Sequence, residues 1–394
     1  MFERVFKLSE HKTTVKTEVM AGITTFMTMA YILAVNPSVL GSTGMDTTAV
    51  LLATALASCL GTLCMAFMAN LPFALSAGMG LNAFMAYTVV AGYGYSWQVA
   101  LLAVFIEGLI FIVLSLTNIR EAIFNAIPLT LKKGVSVGIG LFIAFIGLQN
   151  SGLCVDSATL VGIISFPENF HTAGICALLT LIGLFFTAVF YTRKMKGAIL
   201  YGILLTWILG MLCQVTGLYV PTPDAGFYSL FPSWGMTDFS KLGLTFGQCF
   251  NVDFSAVGIV NFIVVIFSFL FVDIFDTLGT LIGVATKAKM LDKDGKLPGI
   301  KPALLADSIA TSAGAILGTS TTTTFVESAS GVAVGGRTGL TALVTGILFL
   351  VSTLFAPIFT AIPSFATAPA LIMVGFLMVG TVTEINFDLD NLTE

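Results

Sequence analysis

Charge is scarce in this 394-residue chain: Asp, Glu, Lys and Arg make up 10% of it, against 57% hydrophobic residues and a mean hydropathy of +0.99. Ordinary soluble domains carry about 25% charged residues, and a soluble fold of this length could not cover so much apolar surface with so few charges. With 17 Lys and Arg in all, the composition also argues against a nucleic-acid partner, which requires a basic face. Histidine occurs only at His11 and His171, so no imidazole is available inside an apolar stretch. The six cysteines (Cys59, Cys64, Cys154, Cys176, Cys213, Cys249) form no CxxC pair and no metal spacing. They read as apolar filler, so no disulfide framework, metal or cofactor is expected. The N-terminus MFERVFKLSEHKTTVKTE lacks an apolar h-region and a cleavage site. Phe2, Val5, Phe6 and Leu8 can form one apolar face beside Arg4, Lys7 and Lys12. That pattern suits a short interfacial helix, with a frayed tail as the alternative.

Long apolar runs are what the chain has in quantity. A helix needs about 20 such residues to cross the hydrocarbon core. Runs of this kind lie at 19–40, 50–69, 76–91, 97–117, 134–150, 172–190, 197–216, 257–284, 302–318, 319–336, 339–360 and 363–382. The expected class is therefore an all-α polytopic membrane protein. With the N-terminus cytoplasmic and the spans alternating, every Lys and Arg except Lys241 falls inside, including the clusters Lys132–Lys133, Arg193–Lys196 and Lys287–Lys301. Such a bias follows the positive-inside rule. The outer loops carry Asp46, Asp156, Glu168, Asp224, Asp238 and Asp253, and the longest, about 217–256, is external.

Seven spans precede that loop, so whatever follows starts from the opposite side, as in an inverted repeat. The runs 76–91 and 319–336 sit at matching distances into the two halves, and both are interrupted. PFALSAGMGLNAF (72–84) unwinds at Pro72 and Gly78–Gly80, with helix resuming near Asn82. In GTSTTTTFVESASGVAVGGR (318–337), Ser320–Thr324 followed by Phe325 and Val326 favours an extended strand, with helix resuming near Glu327. Broken spans at corresponding positions are the best sequence pointer to a transporter site. They must be buried in protein or line a cavity, and two half-helix N-termini would then aim their N–H groups at the midplane.

Five acids lie within spans: Glu107, Asp273, Asp276, Asp307 and Glu327. A charged residue at a helix centre costs about 2.5–3.5 kcal/mol on insertion scales, and no basic residue shares those spans. Asp273 and Asp276 share a helix face with Thr277 and Thr280. Glu327 sits where a half-helix restarts, a position that favours an anion. Asn82 holds the mirror position with an amide that both donates and accepts. Asp307 and Glu107 read as structural hydrogen-bonding groups. In the absence of histidine, a coupling proton would have to ride on a carboxylate. A sodium ion would use the same acids with carbonyl and hydroxyl oxygens.

These motifs resemble a known family. AGITTFMTMAYILAVNPSVL, SAGMGLNAFMAYTVV, FVDIFDTLGTL and GTSTTTTFVESASGVAVGGRTGLT are similar to the AzgA-like hypoxanthine/guanine permeases of the nucleobase–ascorbate (xanthine/uracil) transporter superfamily, over essentially the whole chain. Ser76-Ala77 departs from the Ala-Pro usual there. The resemblance implies a 7+7 inverted repeat with short strands in the third and tenth spans. It implies a core domain in 1–118 and 257–362, and a gate domain in 119–256 (with the external loop) and 363–394. It implies a carrier rather than an enzyme, importing purine nucleobases (hypoxanthine, guanine or adenine) by proton symport across the plasma (inner) membrane. Implied substrate-site residues are Asn82, Asp273, Glu327, Thr324 and Phe325; implied coupling residues are Asp273 and Asp276. The partners expected are a purine, a proton, the bilayer and a second copy of the chain. An ion-coupled carrier of a pyrimidine, carboxylate or anion on the same architecture is the alternative, disfavoured by an acidic midplane without Lys or Arg. The family has fourteen spans and twelve are counted here, so the last two gate helices are missing from the count. Transport by this chain alone is therefore expected to be poor.

Overall fold

A computed structural model describes residues 2–117, 129–157, 160–222, 227–232, 235–253, 257–287, 290 and 297–385. Arg120, Asp224, Lys289, Lys293, Lys296 and the tail 386–394 lie outside the described residues, as do the side chains of Lys132 and Lys287. Among the described residues, nine helical segments are long and apolar enough to cross a membrane, and two shorter apolar helices, Met79–Gly92 and Ser364–Val379, join them. The expected runs that fall short are the third, tenth and twelfth. The third and tenth do so because part of each is strand.

Helix α1 spans Phe2–Phe6; Phe6 and Leu8 are buried against Ala66, Leu340 and Ala342, while Phe2 and Val5 of the expected apolar face stay exposed. The first run is two helices, α2 (Val15–Met29) and α3 (Ile32–Gly41), joined by a turn at Ala30–Tyr31. Asp46 caps α4 (Thr47–Cys64), which continues as π-helical turns to Ala69 and stops at Asn70 in the left-handed region (φ 52°). Strand β1 (Leu75–Ala77) leads into α5 (Met79–Ala83), prolonged by π-helical turns to Gly92. There follow α6 (Trp97–Leu116), α7 (Leu129–Asn150), a hairpin of β2 (Cys154–Ser157) and β3 (Leu160–Ile163), α8 (Ile175–Thr192) and α9 (Ala198–Val215).

The second half is α10 (Ile259–Lys287), α11 (Ile300–Leu317), β4 (Thr322–Thr324), α12 (Ser328–Val334), α13 (Gly339–Ser352), α14 (Ala356–Thr360) and α15 (Ser364–Val379). Helix α11 ends at Gly318, whose φ of +104° suits glycine and turns the chain back into the protein. Helix–strand–half-helix therefore recurs as α4–β1–α5 and α11–β4–α12. Helices α4 and α6 pack on α11, and α2 and α4 on α13, so the two halves interlock. Helices α7, α8, α9 and α15 pack on one another, and touch the rest through α5 and α10 on α7, α15 on α3, and α9 on α2.

At the end of the bundle opposite α1, the Lys241 ammonium meets Asp46 at 3.0 Å and ties the long loop to the start of α4. Partial burial opposes ionisation of Asp46. The N–H of Ala49, the Lys241 ammonium and the N–H of Thr48 outweigh it and hold the carboxyl below its usual range. A depressed acid stabilises the fold above its unfolded pKa, and that contribution is lost as pH falls through the folded value. Protection of residues 46–50 and 239–250 from hydrogen exchange, corrected for intrinsic rates, should be constant from pH 7 to about 5 and fall below about 4. In Asp46→Asn the acid-dependent drop should vanish; an unchanged drop would assign it to another group.

Candidate functional site

Strands β1 and β4 pair antiparallel, with Leu75 opposite Thr324, Ser76 opposite Thr323 and Ala77 opposite Thr322. The ladder extends outward through Gly78 N–H to Thr321 O (2.9 Å) and Phe325 N–H to Ala74 O (3.0 Å). Neither strand has another strand neighbour among the described residues, and all six residues are buried. Backbone groups that could not face lipid thus satisfy one another inside the protein. Gly78 is needed at this crossing: a Cβ there would sit 2.5 Å from Thr323 Cγ2 and 3.3 Å from Asp276 Oδ2.

The hydroxyl run is explained by its surroundings. Thr319 Oγ1 accepts from Asn36 Nδ2 (3.0 Å), Ser320 Oγ donates to Asn82 Oδ1, and Thr321 Oγ1 donates to Glu107 Oε2 (2.8 Å). Thr323 Oγ1 and Thr277 Oγ1 are 3.0 Å apart, and the Thr322 carbonyl accepts from Thr311 Oγ1 (2.9 Å). Thr319, Ser320, Thr321 and Thr323 are each held through the hydroxyl by a different helix (α3, α5, α6 and α10), and Thr322 through its carbonyl by α11, whereas the Thr322 hydroxyl has no partner among the described residues.

Asn82, one helical turn into α5, is buried and bonded to Ser320; its Nδ2 reaches Ala77 O at 3.5 Å. The N–H groups of Met79, Gly80 and Leu81 precede the first intrahelical bond, Asn82 N–H to Gly78 O. The matching expectation for α12 is corrected. Ser328, Ala329 and Ser330 N–H donate to Phe325, Val326 and Glu327 O, so a tight first turn consumes those donors. Glu327 is the residue before α12, half-buried, and its Oε1 accepts a hydrogen bond from the Tyr31 hydroxyl at 2.7 Å. Asp276 lies within electrostatic reach of both Glu327 and Asp273.

Asp273 is fully buried one turn further back. It accepts from Thr277 Oγ1 at 2.8 Å, and that oxygen is also 3.2 and 3.3 Å from the two carboxylate oxygens of Asp307. The structure thus gathers Asn82, Asp276, Glu327 and Gly78 at the strand crossing. It sets Asp273 with Asp307 in a hydroxyl-bridged cluster behind β4. Thr324 and Phe325 are buried, and no described residue bonds the Thr324 hydroxyl. Glu107, expected to bond between helices, accepts from Thr321 in the extended segment that precedes β4. Tyr31 was not singled out by the sequence reading, although it is the single tyrosine of the first apolar run and sits at the turn between its two helices.

Two half-helices meet strand to strand inside an apolar bundle, with polar groups from several helices converging on the crossing. No group of three or more metal-ligating residues lies among the described residues. This arrangement is that of a multi-pass transporter with inverted repeats. The chain belongs to the permease family of nucleobase–ascorbate transporters, whose profile, described as "Permease family", matches residues 16–391.

Among relatives, it is 46% identical over 393 residues to the guanine/hypoxanthine permease PbuG of Bacillus subtilis, covering 97% of this chain and 84% of that protein. It is 42% identical over 388 residues to the adenine permease AdeQ of Escherichia coli, covering 98% of this chain and 82% of that protein. Of solved structures, the transmembrane domain of the cyanobacterial bicarbonate transporter BicA superposes with a TM-score of 0.67 at 16% identity, covering 96% of this chain and 91% of that one. That likeness concerns the fold alone.

Proposed function

We propose that the protein imports purine nucleobases by proton symport across the plasma membrane, with its N-terminus in the cytoplasm. The observation that carries this reading is the strand crossing. It places an amide, Asn82, and a carboxylate, Glu327, beside the same two-stranded ladder. Relatives named as guanine/hypoxanthine and adenine permeases support the substrate class. In this proposal residues 1–118 and 257–362 form a core domain, and 119–256 with 363–394 form the gate. The substrate site comprises Asn82, Glu327, Thr324, Phe325 and the Asp273 side of α10, with Asp273 and Asp276 carrying the coupling proton. A planar base lies against the crossing with its N–H groups toward Glu327 and its acceptors toward Asn82.

Hypoxanthine and guanine present N1–H, a donor, to an ionised Glu327. Adenine presents a lone pair at N1. An unmade buried polar contact costs about 1–3 kcal/mol, or roughly ten- to a hundredfold in affinity. Competition against labelled hypoxanthine, by equilibrium binding to the purified protein and by uptake in purine-transport-deficient cells, should rank hypoxanthine and guanine above adenine by at least tenfold. Uracil and bicarbonate should not compete. Equal competition by adenine would overturn this orientation, and displacement by bicarbonate alone would overturn the substrate class.

A further inference from the structure

We infer that Tyr31 is a specificity-determining positioning residue, its hydroxyl fixing Glu327 as the acceptor that reads the donor pattern of the bound base. This inference rests on the purine reading above and adds to it a residue and a selection rule. Tyr31 is 1% exposed and sits at the two-residue turn between α2 and α3, where the backbone keeps helical angles within one continuous apolar span. Its ring packs in the main apolar core, so its hydroxyl position is set by burial and not by solvent. A phenol has a single hydrogen to donate. At 2.7 Å that hydrogen is donated to Glu327 Oε1, a full-strength O–H···O hydrogen bond.

Three consequences follow from that one bond. The Glu327 side chain is locked against rotation by a rigid, buried partner. With Glu327 ionised, its Oε1 is the acceptor of that bond, and a proton on that oxygen would require the phenol hydrogen to turn away from it. The second oxygen is presented at a constant angle from the end of β4, and Thr28 Oγ1 on α2 steadies the same residue through the Glu327 carbonyl at 3.4 Å. Tyr31 is also within electrostatic reach of Asp276. Because one hydrogen cannot serve two carboxylates, its commitment to Glu327 divides the two acids: Glu327 reads the base, and Asp276 is left outside that bond. A base with N–H at the reading edge is accepted, and one with a lone pair there is refused. Without the phenol hydrogen Glu327 can turn or offer its own O–H, and the refusal weakens.

The test is equilibrium binding of hypoxanthine and adenine to purified, monodisperse protein carrying Tyr31→Phe, which keeps the ring and removes the donor. The adenine-to-hypoxanthine ratio of dissociation constants should shrink about tenfold, the size expected for one charged hydrogen bond. Tyr31→Met removes the same donor with a side chain that repacks readily and should shrink the ratio alike, which covers a failure of the Phe variant to fold. In a Glu327→Gln background, Tyr31→Phe should change the ratio less than twofold, because the two residues act as one unit. A purely structural role for Tyr31 would weaken both bases equally and leave the ratio where it was. An unchanged ratio in Tyr31→Phe, or an undiminished effect in the Glu327→Gln background, would overturn the inference. Absence of any purine binding by the unsubstituted protein would instead overturn the substrate class on which it rests.

Discussion

Asp273→Asn should abolish accumulation of purine against a gradient while leaving purine binding measurable. The side chain is fully buried in the long helix α10 and takes the Thr277 hydrogen at 2.8 Å. Thr277 Oγ1 also lies 3.2 Å from Asp307 and 3.0 Å from Thr323 Oγ1. One hydroxyl hydrogen cannot be given to two carboxylates at once, so Thr277 links the two buried acids, and a proton held on Asp307 would let both contacts be hydrogen bonds. Asparagine keeps an oxygen for Thr277 to bond and nearly the same volume, but it cannot take up or release the proton. A gradient of one pH unit can drive about tenfold accumulation per proton. Proteoliposomes loaded at such a gradient should accumulate purine toward that ratio, however slowly, with the unsubstituted protein and reach only one with the variant. Accumulation by Asp273→Asn with the parent's pH dependence would remove Asp273 from the coupling role and move it to Asp276.

The apolar runs, the two broken spans and the strand character of Ser320–Thr324 were legible because each depends on local chemistry. Hydropathy marks a span, glycine and proline mark a break, and consecutive hydroxyl residues disfavour helix. The pairing of β1 with β4 was only implicit, since its partners lie some 250 positions apart and no local rule matches Leu75 to Thr324. The half-helix boundary at Glu327 was visible, yet the partner of its carboxylate was not. A tyrosine in an apolar run looks like core until the turn at Ala30–Tyr31 brings it across to α12. Likewise Asn36 reads as an isolated amide beside Pro37, and only the fold shows it bonding Thr54 and Thr319. The pattern is physical: propensities act over a few residues, whereas the bonds that complete a buried site are chosen by packing.

Glu18 shows the same limit most sharply, and its removal should have the largest effect on stability. Placed just before the first apolar run, it is not singled out by the sequence analysis. In the structure it is fully buried and caps a different helix, α13. Its carboxylate accepts from Arg337 N–H (2.8 Å), Thr338 N–H (3.2 Å) and Oγ1 (2.9 Å), and Thr341 N–H (3.3 Å) and Oγ1 (2.7 Å). Asn70 Oδ1 takes the next amide, Gly339 N–H, at 2.9 Å. The orphan N–H groups that every helix start leaves are here satisfied by these two side chains from the first half of the chain together with the Thr338 hydroxyl, which takes Leu340 N–H at 3.3 Å.

Arg337, beside them, closes the end of α12 by donating to the Val332 and Gly336 carbonyls at 2.7 Å. The cap therefore also anchors the half-helix that begins at Glu327. Removing one partner of a buried charged network costs about 3–5 kcal/mol, a large part of the 5–15 kcal/mol typical of a folded domain. Glu18→Ala should lower the thermal midpoint followed by size exclusion in detergent and sharply reduce the yield of monodisperse protein. Glu18→Gln, which keeps one acceptor oxygen and the packing, should fall between Ala and the parent. Equal stability of the Ala variant and the parent would mean that the N-terminus of α13 needs no cap from α2, and that the two halves of the repeat are held together at this end by apolar packing alone.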